Sequence, residues 1–118
     1  MDKKLLLKIV SREEWATATA SGLFRGAEID LKDGYIHFSS TDQVVETAAK
    51  HFAGRDDLLL VAINEDKLGD SVRWETSRGG QLFPHLYSEL PVNLVDHVWE
   101  LPLNEDGLHC FPDLNQAI

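Results

Sequence analysis

Apolar residues follow two patterns along this chain, one typical of buried strands and one typical of helices. Residues 58–63 are six consecutive apolar residues, the pattern of a central strand that is covered on both faces. Residues 5–10 form a similar run that contains Lys8, and they also predict a strand. The apolar residues within 44–52 fall instead at helical spacing in a single stripe, which predicts an amphipathic helix.

Cap residues set the expected limits of two helices. Ser11 and Glu14 have the spacing of a capping box, in which each side chain accepts a hydrogen bond from the other residue's backbone, so a helix is predicted to start there. Ser40 or Thr41 is expected to cap the second helix, which then ends near Gly54.

The segment that joins these two helices is predicted to be largely irregular. Residues 23–32 carry no clear apolar period, and Ile29 is expected to fill the core. Residues 35–38 then predict a short strand, which places Tyr35 and His37 on one face because side chains alternate along a strand.

The second half of the chain predicts strands rather than helices. Residues 72–76 and 93–101 have the alternation of short strands. Pro84 donates no backbone hydrogen bond, so residues 83–85 are not expected in the middle of a sheet. The residues after Pro102 are expected to form a tail that wraps around the rest of the chain.

These patterns together predict an α+β fold. We expect about five to six strands in a mixed or antiparallel sheet, with two main helices early in the chain and most strands late. A doubly wound parallel fold is excluded, because too few helices exist to serve as crossovers. A chain of 118 residues is long enough for one core, so we predict a single domain over residues 1–118.

Charge and cysteine content narrow the expected partners and location. The formal net charge is -9, and such a surface repels nucleic acid, although local arginines can still hold a small anion. The single cysteine, Cys110, excludes an internal disulfide and fits a reducing compartment. No apolar run approaches the roughly 20 residues of a spanning helix, and the start lacks the features of a signal peptide. We therefore predict a cytoplasmic protein that binds neither nucleic acid nor membrane.

Two polar stretches carry the candidate chemistry, and we predict that they face each other across one small-molecule site. The first stretch holds His37, Ser39 and Ser40 at the mouth of the second predicted helix, where backbone N–H groups favour anions. A lone histidine on a strand is often only structural, and the hydroxyls can be plain helix caps. Both interpretations of this stretch stay open at the level of sequence.

The second polar stretch contains Arg73, Glu75, His85 and Tyr87. Glu75 stands beside a tryptophan, which favours a raised pKa and a role as acid or base, whereas the alternative is a surface ion pair with Arg73. Arg78 precedes two glycines, a sequence that suits either a loop closing over a ligand or an ordinary hairpin tip. No histidine or cysteine pair has the spacing of a metal knuckle, so no metal site is predicted.

The chain resembles a small bacterial family catalogued as domain of unknown function 952, over residues 5–101. The resemblance rests on several short motifs taken together, any one of which alone would be weak. They are Lys8-Ile9, Trp15, Asp30, Asp33-Gly34-Tyr35-Ile36-His37-Phe38-Ser39, Arg73-Trp74-Glu75 and Phe83-Pro84-His85-Leu86-Tyr87.

That family is distantly similar to the ADP-ribosyltransferase fold, which includes the RNA 2'-phosphotransferases. The resemblance implies a split, strongly bent sheet that holds NAD in a cleft. It also implies three functional positions on three strands. Lys8 or its neighbours correspond to the first position, His37 to the second, and Glu75 or His85 to the third.

The same resemblance implies roles for the remaining polar residues in binding NAD or an ADP-ribose-like ligand. His37 would hydrogen-bond ribose hydroxyls, and Glu75 would stabilise an oxocarbenium-like transition state or activate a nucleophile. Tyr35 or Tyr87 would stack on a ring of the ligand. Ser39 and Ser40 would contact the pyrophosphate or the ribose edge. Arg73 or Arg78 would pair with phosphate.

Three functional hypotheses remain from the sequence. The first is an NAD-utilising transferase or hydrolase with Glu75 and His85 as catalytic residues. The second is a non-catalytic ligand-binding module, because Lys8 stands where many members of the larger fold have histidine or arginine. The third, a protein-interaction domain, has only the net charge in its favour.

Overall fold

The computed structural model describes residues 5–114, with Arg78 described by its backbone alone, and within this range the protein is an α+β fold. The helices are α1 (Arg12–Ser21), α2 (Glu28–Asp33) and α3 (Val44–His51). The strands are β1 (Leu5–Ser11), β2 (Leu23–Phe24), β3 (Ile36–His37), β4 (Leu58–Asn64), β5 (Val72–Thr76), β6 (Leu82–Leu86), β7 (Leu90–Pro91) and β8 (His97–Glu100). Short 3-10 helices cover Glu65–Lys67, Gly69–Ser71, Arg78–Gly80 and Val92–Leu94.

The described strands form three small sheets, and each pairing is antiparallel. Sheet 1 has the order β1-β4-β8, sheet 2 has the order β3-β6-β5, and β2 pairs with β7. The predicted α+β class is therefore confirmed, in its antiparallel form. The expected number of strands was too low, because the two-residue strands β2 and β7 are too short to give an alternating pattern.

Sheet 1 is the centre of the core, and the predicted central strand is confirmed as β4. Its two faces support separate apolar clusters. Leu6, Val61 and Ile63 belong to one cluster, and Leu7 and Leu60 belong to the other. Because both faces are covered, nearly every position of β4 is apolar, which is the continuous run seen in the sequence.

Helix α1 begins where its capping box predicted. The Ser11 hydroxyl accepts a hydrogen bond from the Glu14 backbone N–H at 3.0 Å, and Glu14 Oε1 accepts one from the Ser11 N–H at 2.9 Å. Gly22 ends the helix in the left-handed region, with its N–H donating to the Ala18 carbonyl.

Helix α2 corrects the prediction of irregular backbone over residues 23–32. The Asp30 carboxylate accepts from the Ala27 N–H at 2.8 Å and so caps the first turn from within the helix. A helix of six residues is too short to show an apolar period, which explains the error. The expected core position of Ile29 was also wrong, since its side chain is 55% exposed.

Helix α3 starts later than predicted. The Ser40 carbonyl accepts from the N–H groups of Gln43 and Val44, and the Gln43 side chain accepts from the Ser40 N–H. The Ser40–Gln43 spacing therefore forms a turn ahead of the helix, and neither Ser40 nor Thr41 is the cap. The helix ends at His51, before Gly54.

Strand β6 places Pro84 in the middle strand of sheet 2, contrary to the prediction. Its carbonyl accepts from the Phe38 N–H at 3.0 Å, and the N–H that proline lacks would point to this same side. Strand β3 ends at His37, so the missing donor falls where β3 leaves the sheet. Pairing of β6 with β5 on the other side is unaffected, with His85 opposite Arg73.

The chain passes from sheet 2 to sheet 1 directly after β3. Ser39 and Leu7 of β1 exchange two backbone hydrogen bonds, each 2.8 Å long. We define residues 37–39, which bond first to β6 and then to β1, as the crossover segment. This segment fixes the relative position of the two sheets.

The C-terminal part of the described range is less regular than predicted. The strand expected over 93–101 is limited to β8, because a 3-10 helix covers its start. The expected tail is present as far as residue 114, where Phe111 and Leu114 pack against the cluster that contains Leu7 and Leu60. None of the helices within residues 5–114 is long and apolar enough to cross a membrane.

Candidate functional site

A cleft of about 610 Å³ opens where the two sheets meet. Its walls come from β1, α2, the crossover segment, α3 and the β5–β6 hairpin. The lining alternates aromatic and hydrogen-bonding side chains, with Tyr35, Phe52 and Phe83 among the former and His37, Ser39 and Thr47 among the latter.

The structure brings half of the predicted site residues to this cleft. Lys8, Tyr35, His37, Ser39 and His85 line it. Four other predicted residues do not line the cleft: Ser40, Arg73, Glu75 and Tyr87. The side chain of Arg78 lies outside what the structure describes.

Asp30 is the buried centre of the polar wall. One of its oxygens accepts from Lys8 Nζ at 3.0 Å and lies 2.6 Å from His37 Nδ1, and the same oxygen accepts from the His37 N–H at 3.1 Å. The other oxygen lies 2.9 Å from Lys8 Nζ and accepts from the Ala27 N–H. One carboxylate thus connects β1, α2 and β3.

The surroundings keep Asp30 ionised. Burial alone would raise its pKa, but the hydrogen bond with His37, the charge of Lys8 and the Ala27 N–H outweigh burial and lower the pKa to about 2. Lys8 is buried too, and it is a charged residue inside an otherwise apolar strand. A buried lysine requires a buried acidic partner, and this was the signal that could have identified Asp30.

His37 lies between two carboxylates. Its Nδ1 contacts Asp30, while its Nε2 lies 3.0 Å from Asp33 Oδ2. A neutral imidazole carries one N–H and can donate to only one of these groups, whereas the doubly protonated ring donates to both. The ribose-binding role expected for His37 would therefore require one partner to move.

His85 forms a second polar network with Glu75 and two tyrosines. Glu75 Oε1 lies 2.8 Å from His85 Nδ1 and accepts from the Tyr87 hydroxyl at 2.6 Å. The ring of Tyr35 stacks on His85 with 4.2 Å between centroids, and the Arg73 guanidinium lies 5.2 Å from the centre of the Tyr87 ring. Tyr35 is therefore an aromatic surface of the cleft whose ring is held by stacking on His85.

Of the two interpretations that the sequence leaves open for Glu75, the raised pKa is wrong. Hydrogen bonds from Tyr87 and then His85 lower the pKa of the Glu75 carboxyl. The neighbouring Trp74 does not desolvate this group, because adjacent strand residues face opposite ways and the indole donates to Glu65 at 2.6 Å. Sequence adjacency was therefore a poor guide to the environment of this carboxylate.

Helix α3 contributes a wall that the sequence analysis did not assign to the site. Thr47 shares a hydrogen bond of 3.0 Å with Ser39, and Lys50 pairs with Glu46 at 2.8 Å. These residues line the cleft on the polar side of the helix, and their spacing of three and four residues was the available signal. Within residues 5–114, no three histidine, cysteine or acidic side chains are arranged to hold a metal ion.

Comparison with known proteins establishes a family and a fold. The model of a family described as "Protein of unknown function (DUF952)" matches residues 9–98, from β1 to β8. A crystal structure of protein CC0527 from Caulobacter crescentus is 47% identical, with a TM-score of 0.86, and the match covers 90% of this chain and 93% of that one. The solution NMR structure of CC0527 is 46% identical, with a TM-score of 0.81 and coverages of 97% and 96%. No curated protein matched.

Proposed function

This chain belongs to the DUF952 family of proteins of unknown function, and we propose that its cleft binds a nucleotide-class small molecule such as NAD or an ADP-ribose-like ligand. The observation that supports this most is the combination of the Tyr35 ring, which stacks on His85, with hydrogen-bonding groups in a cleft of about 610 Å³. That volume fits a ligand of nucleotide size.

Each part of the proposed ligand has a counterpart on the cleft wall. A base or nicotinamide ring stacks on Tyr35, an interaction worth about 1–3 kcal/mol for a base on an aromatic side chain. Ribose hydroxyls meet Ser39 and Thr47. The Thr47 hydroxyl donates to the Gln43 carbonyl and accepts from Ser39, so both oxygens can accept from a ribose hydroxyl. The anionic part lies towards Lys8 and His37.

His85 supports a transferase or hydrolase activity in this cleft. Its Nδ1 contacts Glu75, whereas its Nε2 has no hydrogen bond within the described part of the chain. The His85 side chain lines the cleft, although only 5% of it is exposed. Glu75 would fix the ring, and Nε2 would accept or donate the proton of the reacting group.

The ADP-ribosyltransferase-like relationship is part of the same proposal. Its support is the division of the main strands into two three-stranded sheets with the cleft at their junction. Lys8 on β1, His37 on β3 and His85 on β6 then take the three positions expected from that fold.

Ligand binding can be tested by thermal unfolding with NAD and with ADP-ribose. We expect millimolar ligand to raise the melting midpoint, because a ligand that binds only the folded state stabilises it. His37→Ala should abolish the rise. His97→Ala should retain it, since His97 stacks on Trp99 in the edge strand β8 and does not line the cleft.

Two results would decide against this part of the proposal. One is a midpoint unchanged by either ligand in the parent protein. The other is an equal rise in the parent and in His37→Ala, which would show binding away from the polar wall.

A second candidate, a binding module without catalysis, is favoured by the position of Glu75. Its carboxylate lies outside the cleft lining, and the lowered pKa keeps it ionised, so it does not act as an acid on a bound ligand. In this case the Tyr87–Glu75–His85 contacts serve only to hold Tyr35 in place.

Glu75→Gln separates the two candidates. Glutamine is nearly the same size and can still accept from Tyr87 or His85, so we expect the dissociation constant for ADP-ribose to change less than about threefold. An enzyme should then lose up to about 10²–10⁴-fold in turnover of NAD, the contribution of a positioned acid or base, because the ring of His85 loses the carboxylate that positions it. If the parent and Glu75→Gln both bind ADP-ribose and neither turns over NAD, the protein is a binding module without catalysis.

A further inference from the structure

The exposed carboxylate of Asp33 occupies the one ring nitrogen of His37 that a ligand could reach. Asp33 and His37 both line the cleft, and their contact is 3.0 Å from Oδ2 to Nε2. The side chain of Asp33 is 37% exposed, against 1% for Asp30 on the other side of the ring. Of the two carboxylates that contact His37, Asp30 is therefore buried and firmly held, whereas Asp33 is exposed to solvent.

Asp33 is held weakly because of where it lies in α2. It is the last residue of the helix, where unpaired carbonyls carry partial negative charge and disfavour a carboxylate. Its Oδ2 contacts His37 Nε2, four residues along the chain, in a part-exposed ion pair. Solvent and salt weaken such exposed pairs more than buried ones. Asp30, in contrast, remains to hold the ring if Asp33 moves away.

The contacts of the basic side chains in the cleft favour replacement of Asp33 by an anion. Lys8 is paired with the buried Asp30, whereas Nε2 of His37 has the part-exposed Asp33 as its acidic partner. Lys50, the other cation of the lining, already pairs with Glu46. In the present arrangement the Asp33 carboxylate occupies the position beside Nε2 that a ligand's anionic group would otherwise occupy.

We propose that a phosphate group of the bound ligand takes the place of Asp33 at Nε2 of His37. Asp33 then competes with the phosphate for Nε2 of His37 and so lowers the affinity of the cleft for phosphate-bearing ligands. Only a ligand that carries phosphate can displace the Asp33 carboxylate from this position. This inference rests on the proposed function, because it assigns a phosphate position within the same cleft. Lys8 also lines the cleft, and its positive charge offsets the Asp30 carboxylate, which would otherwise repel a phosphate.

The test compares Asp33→Asn with Asp106→Asn, an exposed aspartate in the tail that does not line the cleft. Calorimetric titration should show ADP-ribose binding about two- to fivefold tighter to Asp33→Asn, the ratio that corresponds to one part-exposed ion pair. Adenosine, which has no phosphate, should bind as it does to the parent. Equal tightening of both ligands, or weaker ADP-ribose binding, would overturn the proposal.

A titration with inorganic phosphate separates this proposal from the proposed function. In the parent we expect phosphate to shift the ¹⁵N resonance of His37 Nε2, and Asp33→Asn should reach the same shift at a lower phosphate concentration. This result does not depend on nucleotide binding. If no nucleotide bound, the proposed function would be wrong and the phosphate site would remain. An Nε2 resonance that phosphate leaves unchanged in both proteins would overturn the phosphate site itself.

Discussion

Replacing Asp30 by asparagine is expected to lower the free energy of unfolding by about 3–5 kcal/mol, the usual loss when one partner of a buried ion pair is removed. Lys8 would be left buried without a countercharge, and the amide NH₂ of asparagine would face Lys8 together with either the His37 N–H or the Ala27 N–H, donor against donor. Chemical denaturation measures the loss. Asp106→Asn, which removes the same charge from an exposed turn, should change stability by less than about 0.5 kcal/mol.

The double variant Lys8→Met with Asp30→Asn tests whether the loss comes from an unpaired charge. A methionine at position 8 fits an apolar strand and needs no partner, so the double variant should recover much of the stability that Asp30→Asn loses. Additive losses would show instead that the pair is not coupled and that the backbone contacts of Asp30 dominate.

The pH dependence of stability gives a further check on Asp30. Its pKa falls from 3.8 to about 2 on folding, so between these values the unfolded chain binds more protons and stability rises with pH. This contribution is complete above about pH 4, is lost as pH falls towards 2, and corresponds to about 2 kcal/mol. The stability profile of Asp30→Asn should lack this part of the slope.

Gly26→Ala is expected to lower the free energy of unfolding by about 2–4 kcal/mol, as the sum of backbone strain and overpacking. Gly26 has a φ of +118°, and a Cβ there would lie 2.8 Å from the Cβ of Asp30. That atom is fixed by the backbone and by the contacts of its carboxylate, so it cannot swing away as the end of a long side chain would. The change should also weaken ligand binding, because moving Asp30 moves His37.

Gly34→Ala is the matched control for this substitution. Gly34 also has a positive φ, of +89°, but nothing lies within 4 Å of the position of an added Cβ. It should show the backbone strain alone, about 1–2 kcal/mol, with ligand binding retained. Equal losses in the two variants would mean that the close approach of Gly26 to Asp30 has no energetic consequence.

The elements that could be predicted from the sequence are those specified by residues close together along the chain. Strand β4 is a run of apolar residues because both of its faces are covered, and α1 carries its own capping box. Helix α2 and strand β6 depend on distant contacts. Asp30 caps α2 while also pairing with Lys8, and Pro84 is accepted in β6 because β3 ends beside it. No window of sequence around either residue contains that information.

The candidate site was predicted to a similar extent. His37, Tyr35 and Ser39 belong to one continuous polar stretch, and the structure does bring them to one cleft. Asp30 was not assigned a role, because its partners Lys8 and His37 lie on two different strands. Glu75 has its environment set by His85 and Tyr87 across a strand pairing rather than by its neighbour Trp74. The cytoplasmic location and the single-domain organisation stay predictions from the sequence.

The crossover segment makes one wall of the cleft rigid before any ligand arrives. Phe38 is hydrogen-bonded to β6 of sheet 2 and Ser39 to β1 of sheet 1, so neither sheet can slide past the other without breaking backbone hydrogen bonds. A ligand that contacts His37 and Ser39 therefore meets groups that are already ordered, and little conformational entropy is lost there on binding. Widening of the entrance is expected instead at the tip of the β5–β6 hairpin, where Gly79 lines the cleft and both Gly79 and Gly80 adopt positive φ angles.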